Sequence, residues 1–332
     1  MQTFKIRKTI ASSFAVLSIV VAFNSAGADK NISIVTGPVG ASYFDMGKSV
    51  SAVLNKNLPG ALATVTVTNG AVENVNLISA KKGDVGFAQA DVAWDGYKGY
   101  GKFKEPMPIR AIAVFYANRL HFVTLRDSGI NKAADLRGKR ISIGPSGSAA
   151  EVWALRLLEA NGITPDKDVS LMRVGPADAA IALKEGKIDA FMWPGGNPVK
   201  AISDLANEPN VKMRLLDTAH AVPVMLRKYG PVYTDGEIPL YRASQLPTSS
   251  YPGVDKPVRV AEVWNLLFVH ADTDEKFVYD IVKTLFENKP ELVAAYGPAK
   301  ELDLSNQTRR SPIPFHAGAQ KYFLEKGIRV LR

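Results

Sequence analysis

The run "ISIGPSGSAAEVWALRLLEANG" (residues 141–162) places two serines, Ser146 and Ser148, in a small-residue turn. A β-branched stretch leads into the turn and an amphipathic stretch leaves it, so it joins a strand to a helix. Such a turn can hold a phosphate, carry a nucleophilic serine, or cradle another anion on bare backbone N–H groups. A Walker loop needs G-x-x-x-x-G-K-[ST] and a dinucleotide turn needs G-x-G-x-x-G; the turn fits neither. A hydrolase elbow needs G-x-S-x-G, whereas glycine directly follows Ser146. The four histidines, His121, His220, His270 and His316, are isolated in sequence and none sits in a triad motif. No His/Glu pair has zinc spacing on one helix face, and no acidic loop matches a calcium-binding hand. What remains for Ser146, Gly147 and Ser148 is an anion cradle. The plainer alternative for Ser148 is an N-cap.

The elements that must position this turn alternate along the chain. "NISIVTG", "ATVTVTN", "DVGFAQA", "KRISIG", "VSLMRV" and "IDAFMW" read as strands. Helical stretches such as "YFDMGKSVSAVLNK", "ENVNLISAKKG" and "ADAAIALKEG" lie between them. This is the rhythm of an α/β fold with parallel strands. "IRAIAVFYANRLHFVTLR" is too long for one ordinary strand and is expected to pass from one domain to the next; "VRVAEVWNLLFVHAD" is the expected return crossing. After Ala271 the pattern turns helical, with Thr273 as the expected N-cap. The outcome is two hinged α/β domains with a ligand cleft between them: residues 29–116 plus 266–332, and residues 117–265. Ligands of open α/β sheets sit at strand carboxyl ends, near helix N-termini. Five turns occupy such positions: "TGPVGASYF", "TNGAVEN", "AQADVAW", "GPSGSAAE" and "MWPGGNP".

The chain has 332 residues, a formal charge of +9 and no cysteine. Disulfides and thiol chemistry are therefore excluded. Lys5, Arg7 and Lys8, the apolar run from Thr9 to Phe23, and Ala26-Gly27-Ala28 have the layout of a secretory signal peptide spanning residues 1–28. Without those three basic residues the charge is +6, spread along the chain. No dense basic run carries interleaved aromatics, so nucleic acid is not an expected partner. The mature protein is expected in the periplasm of a two-membrane bacterium.

As an ordered set, these segments resemble the TAXI family of solute-binding proteins that serve tripartite (TRAP) transporters. "IVTGPVGASYFDMGKSVSAVLNK" is similar to that family's "TGG-x-GG-x-YY-x-x-G" opening. "TNGAVENVNLISAKKGDVGFAQADVAWDGYKG" resembles its "S-x-EN-x-x-L" helix and "aD-x-G-x-x-Q-x-D" strand end. "DSGINKAADLRGKRISIGPSGSAAE", "KEGKIDAFMWPGGNP" and "IPFHAGAQKYFLEKG" resemble three further segments. The sequence departs at Pro38 and Val39, at Asn69-Gly70-Ala71, at Ala149-Ala150 and at Trp193-Pro194, so the ligand need not be the usual one.

The resemblance implies a two-lobed periplasmic-binding-protein type II fold. It implies a receptor that captures a small organic acid, a glutamate-like amino acid or a dicarboxylate, and delivers it to TRAP permease subunits. Thr36, Gly40, Ala41, Tyr43, Asn69, Gln89 and Asp91 are the expected contacts from the first lobe, and Ser146, Gly147, Ser148 and Trp193 those from the second. Asp91 is expected either to meet a ligand ammonium or to cap the helix after it. No catalysis, cofactor or metal is expected, and the protein is expected to be a monomer. The rival readings are an exported α/β hydrolase using Ser146, and a binding protein serving an ABC transporter or a sensor.

Overall fold

The computed structural model describes residues 30–229, 239–308 and 311–330. The proposed signal peptide and its cleavage site lie outside the described residues. Strand β1 (Lys30–Val35) leads through a turn into α1 (Ser42–Asn57). Next come β2 (Ala61–Thr66), α2 (Ala71–Ser79), β3 (Val85–Gln89) and α3 (Ala90–Lys98). The apolar run after residue 108 forms one continuous 17-residue strand, β4 (Ile109–Leu125). It is followed by β5 (Arg140–Ser142), α4 (Ala149–Ala160), β6 (Ser170–Met172), α5 (Pro176–Lys184) and β7 (Ala190–Gly195). The chain continues through α6 (Lys200–Ala206), β8 (Met213–Leu215), α7 (Val222–Tyr229) and β9 (Arg242–Leu246). Strand β10 (Val258–His270) leads into α8 (Glu275–Glu287), α9 (Lys289–Ala295) and α10 (Ala317–Glu325).

The strands form a sheet in the order β2-β1-β3-β10-β4-β7-β5-β6, with β8 beside β4 and β9 beside β10. β1 runs parallel to β2 and β3, and β5 runs parallel to β6 and β7. The centre of the sheet is antiparallel. β10 is antiparallel to both β3 and β4, and β4 is antiparallel to β7. The two long strands cross the molecule in opposite directions, and that fixes their mutual sense. Each flank then winds its own parallel strands outward from this antiparallel pair.

Burial follows the sequence pattern. Ile32, Ile34 and Val35 of β1 are inaccessible, as is nearly all of β4. Helix α8 is capped by Asp274 rather than Thr273: the Asp274 carboxylate accepts from Phe277 N at 2.7 Å. An ionised acceptor at an N-cap also meets the positive end of the helix dipole. Among the described residues no helix is long and apolar enough to cross a membrane.

Candidate ligand-binding site

Four helices begin around one chamber. Gly37, Pro38, Ala41, Ser42 and Tyr43 contribute the start of α1, and Asn69, Gly70 and Ala71 the start of α2. Gln89 is the N-cap of α3, and Ser148, Ala149 and Ala150 open α4. Asn118 of β4 and Trp193 and Pro194 of β7 complete the wall. The first N–H groups of a helix have no carbonyl within the helix to bond. At α1, α2 and α3 no side chain caps them; only α4 has a side-chain cap, with Ser148 Oγ accepting from Glu151 N. Gly70 sits at φ +123°, a left-handed backbone conformation that favours glycine, and packs against Ser148 at the start of α4.

The side chains facing the chamber are neutral, and several have no partner. Gln89 is inaccessible, yet both its Oε1 and Nε2 lack a hydrogen bond. Trp193 Nε1 is buried and unpaired. Asn118 donates through Nδ2 to Asn265 Oδ1 at 3.0 Å, while its own Oδ1 is unpaired. Buried polar groups are almost always satisfied, so three such side chains around one chamber mark a site for a polar guest. The surrounding shell, by contrast, is well anchored. Tyr43 donates to Asn265 Oδ1 at 2.7 Å and stacks on Phe87. Burial first, and then the charge of Asp91, push the Tyr43 phenol well above its ordinary range, so it stays neutral.

Behind Trp193 lies a relay of hydrogen bonds. Val199 N donates to Tyr251 Oη at 2.9 Å, Tyr251 Oη lies 2.9 Å from His121 Nε2, and His121 Nδ1 lies 3.2 Å from the Trp193 carbonyl. Burial lowers the His121 pKa to about 4, so the ring is neutral and its Nδ1–H can donate to that carbonyl. His121 is thereby an anchor for β7.

The structure brings Ala41, Tyr43, Asn69, Gln89, Ser148 and Trp193 to the chamber wall. The other five expected contacts lie elsewhere. Thr36 is buried beneath the wall, its hydroxyl donating to the Thr66 carbonyl and its own carbonyl accepting from Thr68 and Asn74. Gly40 faces the methyl groups of Ala177 and Ala201. Ser146 is exposed. Gly147 uses its carbonyl for Glu73 N at 3.2 Å and its N–H for Glu151 Oε2 at 3.1 Å.

Asp91 corrects the expectation most sharply. Its Oδ2 accepts from Trp153 Nε1 at 2.7 Å, Arg156 NH1 at 2.8 Å and Tyr241 Oη at 2.8 Å. Arg156 also pairs with Asp95 at 2.6 Å and lies over the Tyr229 ring. Through Oδ2 the carboxylate faces an arginine, its Oδ1 stays buried and unpaired, and Asp91 is not among the residues lining the chamber. Asn118 was not anticipated, although its polar side chain interrupts a long apolar run, the kind of break that marks a site. Asn265 stands out similarly within "VWNLLF" and orients Asn118 from behind.

The polypeptide is an α/β protein of the periplasmic-binding-protein type II fold. It aligns with the periplasmic binding protein BugD at a TM-score of 0.54 and 14% identity, covering 82% of this chain and 87% of that one. It is also similar to the aliphatic sulphonate binding protein SsuA of Escherichia coli (TM-score 0.42, 13% identity, 82% and 75% covered). A further match is XAC2383 of Xanthomonas citri bound to ATP (TM-score 0.47, 12% identity, 89% and 94% covered). Residues 34–327 match the model of the NMT1-like family, and the chain belongs to that family.

Proposed function

We propose that the protein is an exported solute receptor that captures a small organic anion and hands it to a membrane permease. The observation that carries this reading is the chamber itself. Four helix N-termini converge on it, four buried polar atoms of Gln89, Asn118 and Trp193 there lack partners, and among the described residues no charged side chain lines it. Helix N-termini favour negative charge, and their N–H groups offer donors without a counter-cation.

Residues 29–116 plus 266–332 and residues 117–265 serve as the two lobes, with β4 and β10 as the crossings. Contacts across the cleft hold them together: Glu73 N to the Gly147 carbonyl, Gly196 N to Ser42 Oγ at 2.9 Å, and Arg156 to Asp91. A ligand on the α2 and α4 N-termini would tighten the same closure. The TRAP type of permease is taken from the sequence resemblance, and periplasmic location from the leader.

The hydrolase alternative finds little support. Ser146 is exposed, and among the described residues each histidine's hydrogen bonds go elsewhere: His121 to Trp193 and Tyr251, His220 to Asn161, His270 to Asp272, His316 to Gly318. Native mass spectrometry of protein taken from the periplasm of its own host tests the proposal. A stoichiometric small anion, on a chain beginning at Asp29, is expected. Protein that starts at Met1 in the membrane fraction, or that shows no melting shift with any small carboxylate, would contradict it.

A further inference from the structure

We infer that the ligand is a hydroxylated organic acid without an ammonium group. This rests on the receptor reading above and narrows it to a class of ligand. The first step is the orientation of Asn118. Asn265 Nδ2 donates to the Tyr116 carbonyl at 2.9 Å, and a carbonyl can only accept. Asn265 must therefore present Oδ1 on its other side, where Tyr43 and Asn118 Nδ2 donate to it. That leaves the buried Asn118 Oδ1 as a fixed acceptor at the chamber wall. Trp193 Nε1 is a donor only, and the Gln89 amide offers one donor and one acceptor, all unpaired. A guest that satisfies this set must both donate and accept away from its anionic group. A hydroxyl does both; a ketone cannot donate, and a bare methylene does neither.

The second step decides between a hydroxyl and an ammonium, since both can donate. An ammonium in a dry chamber needs a carboxylate beside it. Among the described residues the wall has none; Asp91 does not line the chamber, and although its Oδ1 is unpaired, its charge is met through Oδ2 by Arg156. The N–H groups that open these helices are donors, which serve an anion and offer a cation nothing. A neutral donor meets neither penalty.

Matched acids that differ in one substituent test this on the unaltered mature protein. Suitable sets are lactate, alanine, pyruvate and propionate; malate, aspartate, oxaloacetate and succinate; and 3-phenyllactate, phenylalanine, phenylpyruvate and 3-phenylpropionate. Titration calorimetry is expected to find one set in which the hydroxy acid binds at least about tenfold tighter than its three counterparts. A buried polar group left unpaired has a cost of that order. In Asn118→Ala the preference for the hydroxy acid over the unsubstituted acid should shrink several-fold, with carboxylate binding retained. Trp193→Phe, which keeps the ring and the asparagine pair, should shrink it as well if Asn118→Ala fails to fold. An amino, oxo or unsubstituted acid that binds as tightly as the hydroxy acid overturns the inference and leaves the receptor standing. If none of the twelve acids binds and no other small carboxylate does, the receptor reading fails with it.

Discussion

Two buried polar clusters, one around Arg156 and one at the chamber, differ in how completely they are satisfied. In the Arg156 cluster a guanidinium, the carboxylates of Asp91 and Asp95, the indole N–H of Trp153 and the Tyr241 hydroxyl bond one another, and Asp91 Oδ1 alone among the atoms named is buried without a partner. Burial alone would lower the Arg156 pKa, but Tyr241, Asp91 and Asp95 outweigh it and raise it, so the charge persists. The chamber cluster of Gln89, Asn118 and Trp193 carries no charge and leaves four polar atoms unpaired. A saturated network rigidifies the fold, whereas an unsaturated one keeps its hydrogen-bonding capacity for a guest. The two clusters meet at α3, which Gln89 caps and which carries Asp91 and Asp95.

The largest effect should come from opening the saturated side. Arg156→Met leaves Asp91 charged and buried, and removing one partner of such a pair costs about 3–5 kcal/mol. Urea denaturation should show that loss, and adding Asp91→Asn and Asp95→Asn should recover much of it. A single variant as stable as the parent would erase the distinction between the clusters. Ser148→Ala acts on both counts, because Ser148 caps α4 and also lines the chamber. Expected are about 1 kcal/mol of stability for the cap and about 1.5–3 kcal/mol of affinity for a hydroxyl meeting an anion. Calorimetry beside a melt separates them, and unchanged affinity would reduce Ser148 to a cap.

Trp193→Phe removes one neutral donor and keeps most of the packing. Affinity should fall by about 0.5–1.5 kcal/mol, while stability changes little, because Nε1 bonds nothing in the fold. The smallest effect is on pH. Burial raises the Asp95 carboxyl from 3.8 to about 6, against the opposing pull of Arg156 and with help from Asp91. Between those values the folded chain binds the proton more readily than the unfolded one. Stability contributed by this group therefore falls as pH rises from about 4 to 6 and is level above. Asp95→Asn should remove that slope, as read from denaturation midpoints across the window.

The strand and helix rhythm was legible in the sequence because apolar periodicity dictates it. The turns around the chamber were legible because small residues at strand ends have few other uses. Six expected contacts do line the chamber, whereas Asp91 could not be placed from sequence. Its partner Arg156 lies 65 residues away, and only the packing of α3 on α4 brings them together. Gly40 and Ser146 sit in the right turns but face away, since a turn's composition does not fix which atoms point inward. The antiparallel pairing of β10 with β3 and β4 depends on the long-range path of the chain, and local periodicity carries no sign of it.

The most direct test of the chamber is Gln89→Leu. Gln89 has no partner in the fold, so an apolar residue of similar size should relieve an unsatisfied buried amide and raise the unliganded melting temperature. The same change removes two groups reserved for the guest. A variant that melts higher alone and gains less from ligand than the parent is the expected result. A variant that melts lower alone and keeps the full ligand-induced shift would contradict the assignment of this chamber as the binding site.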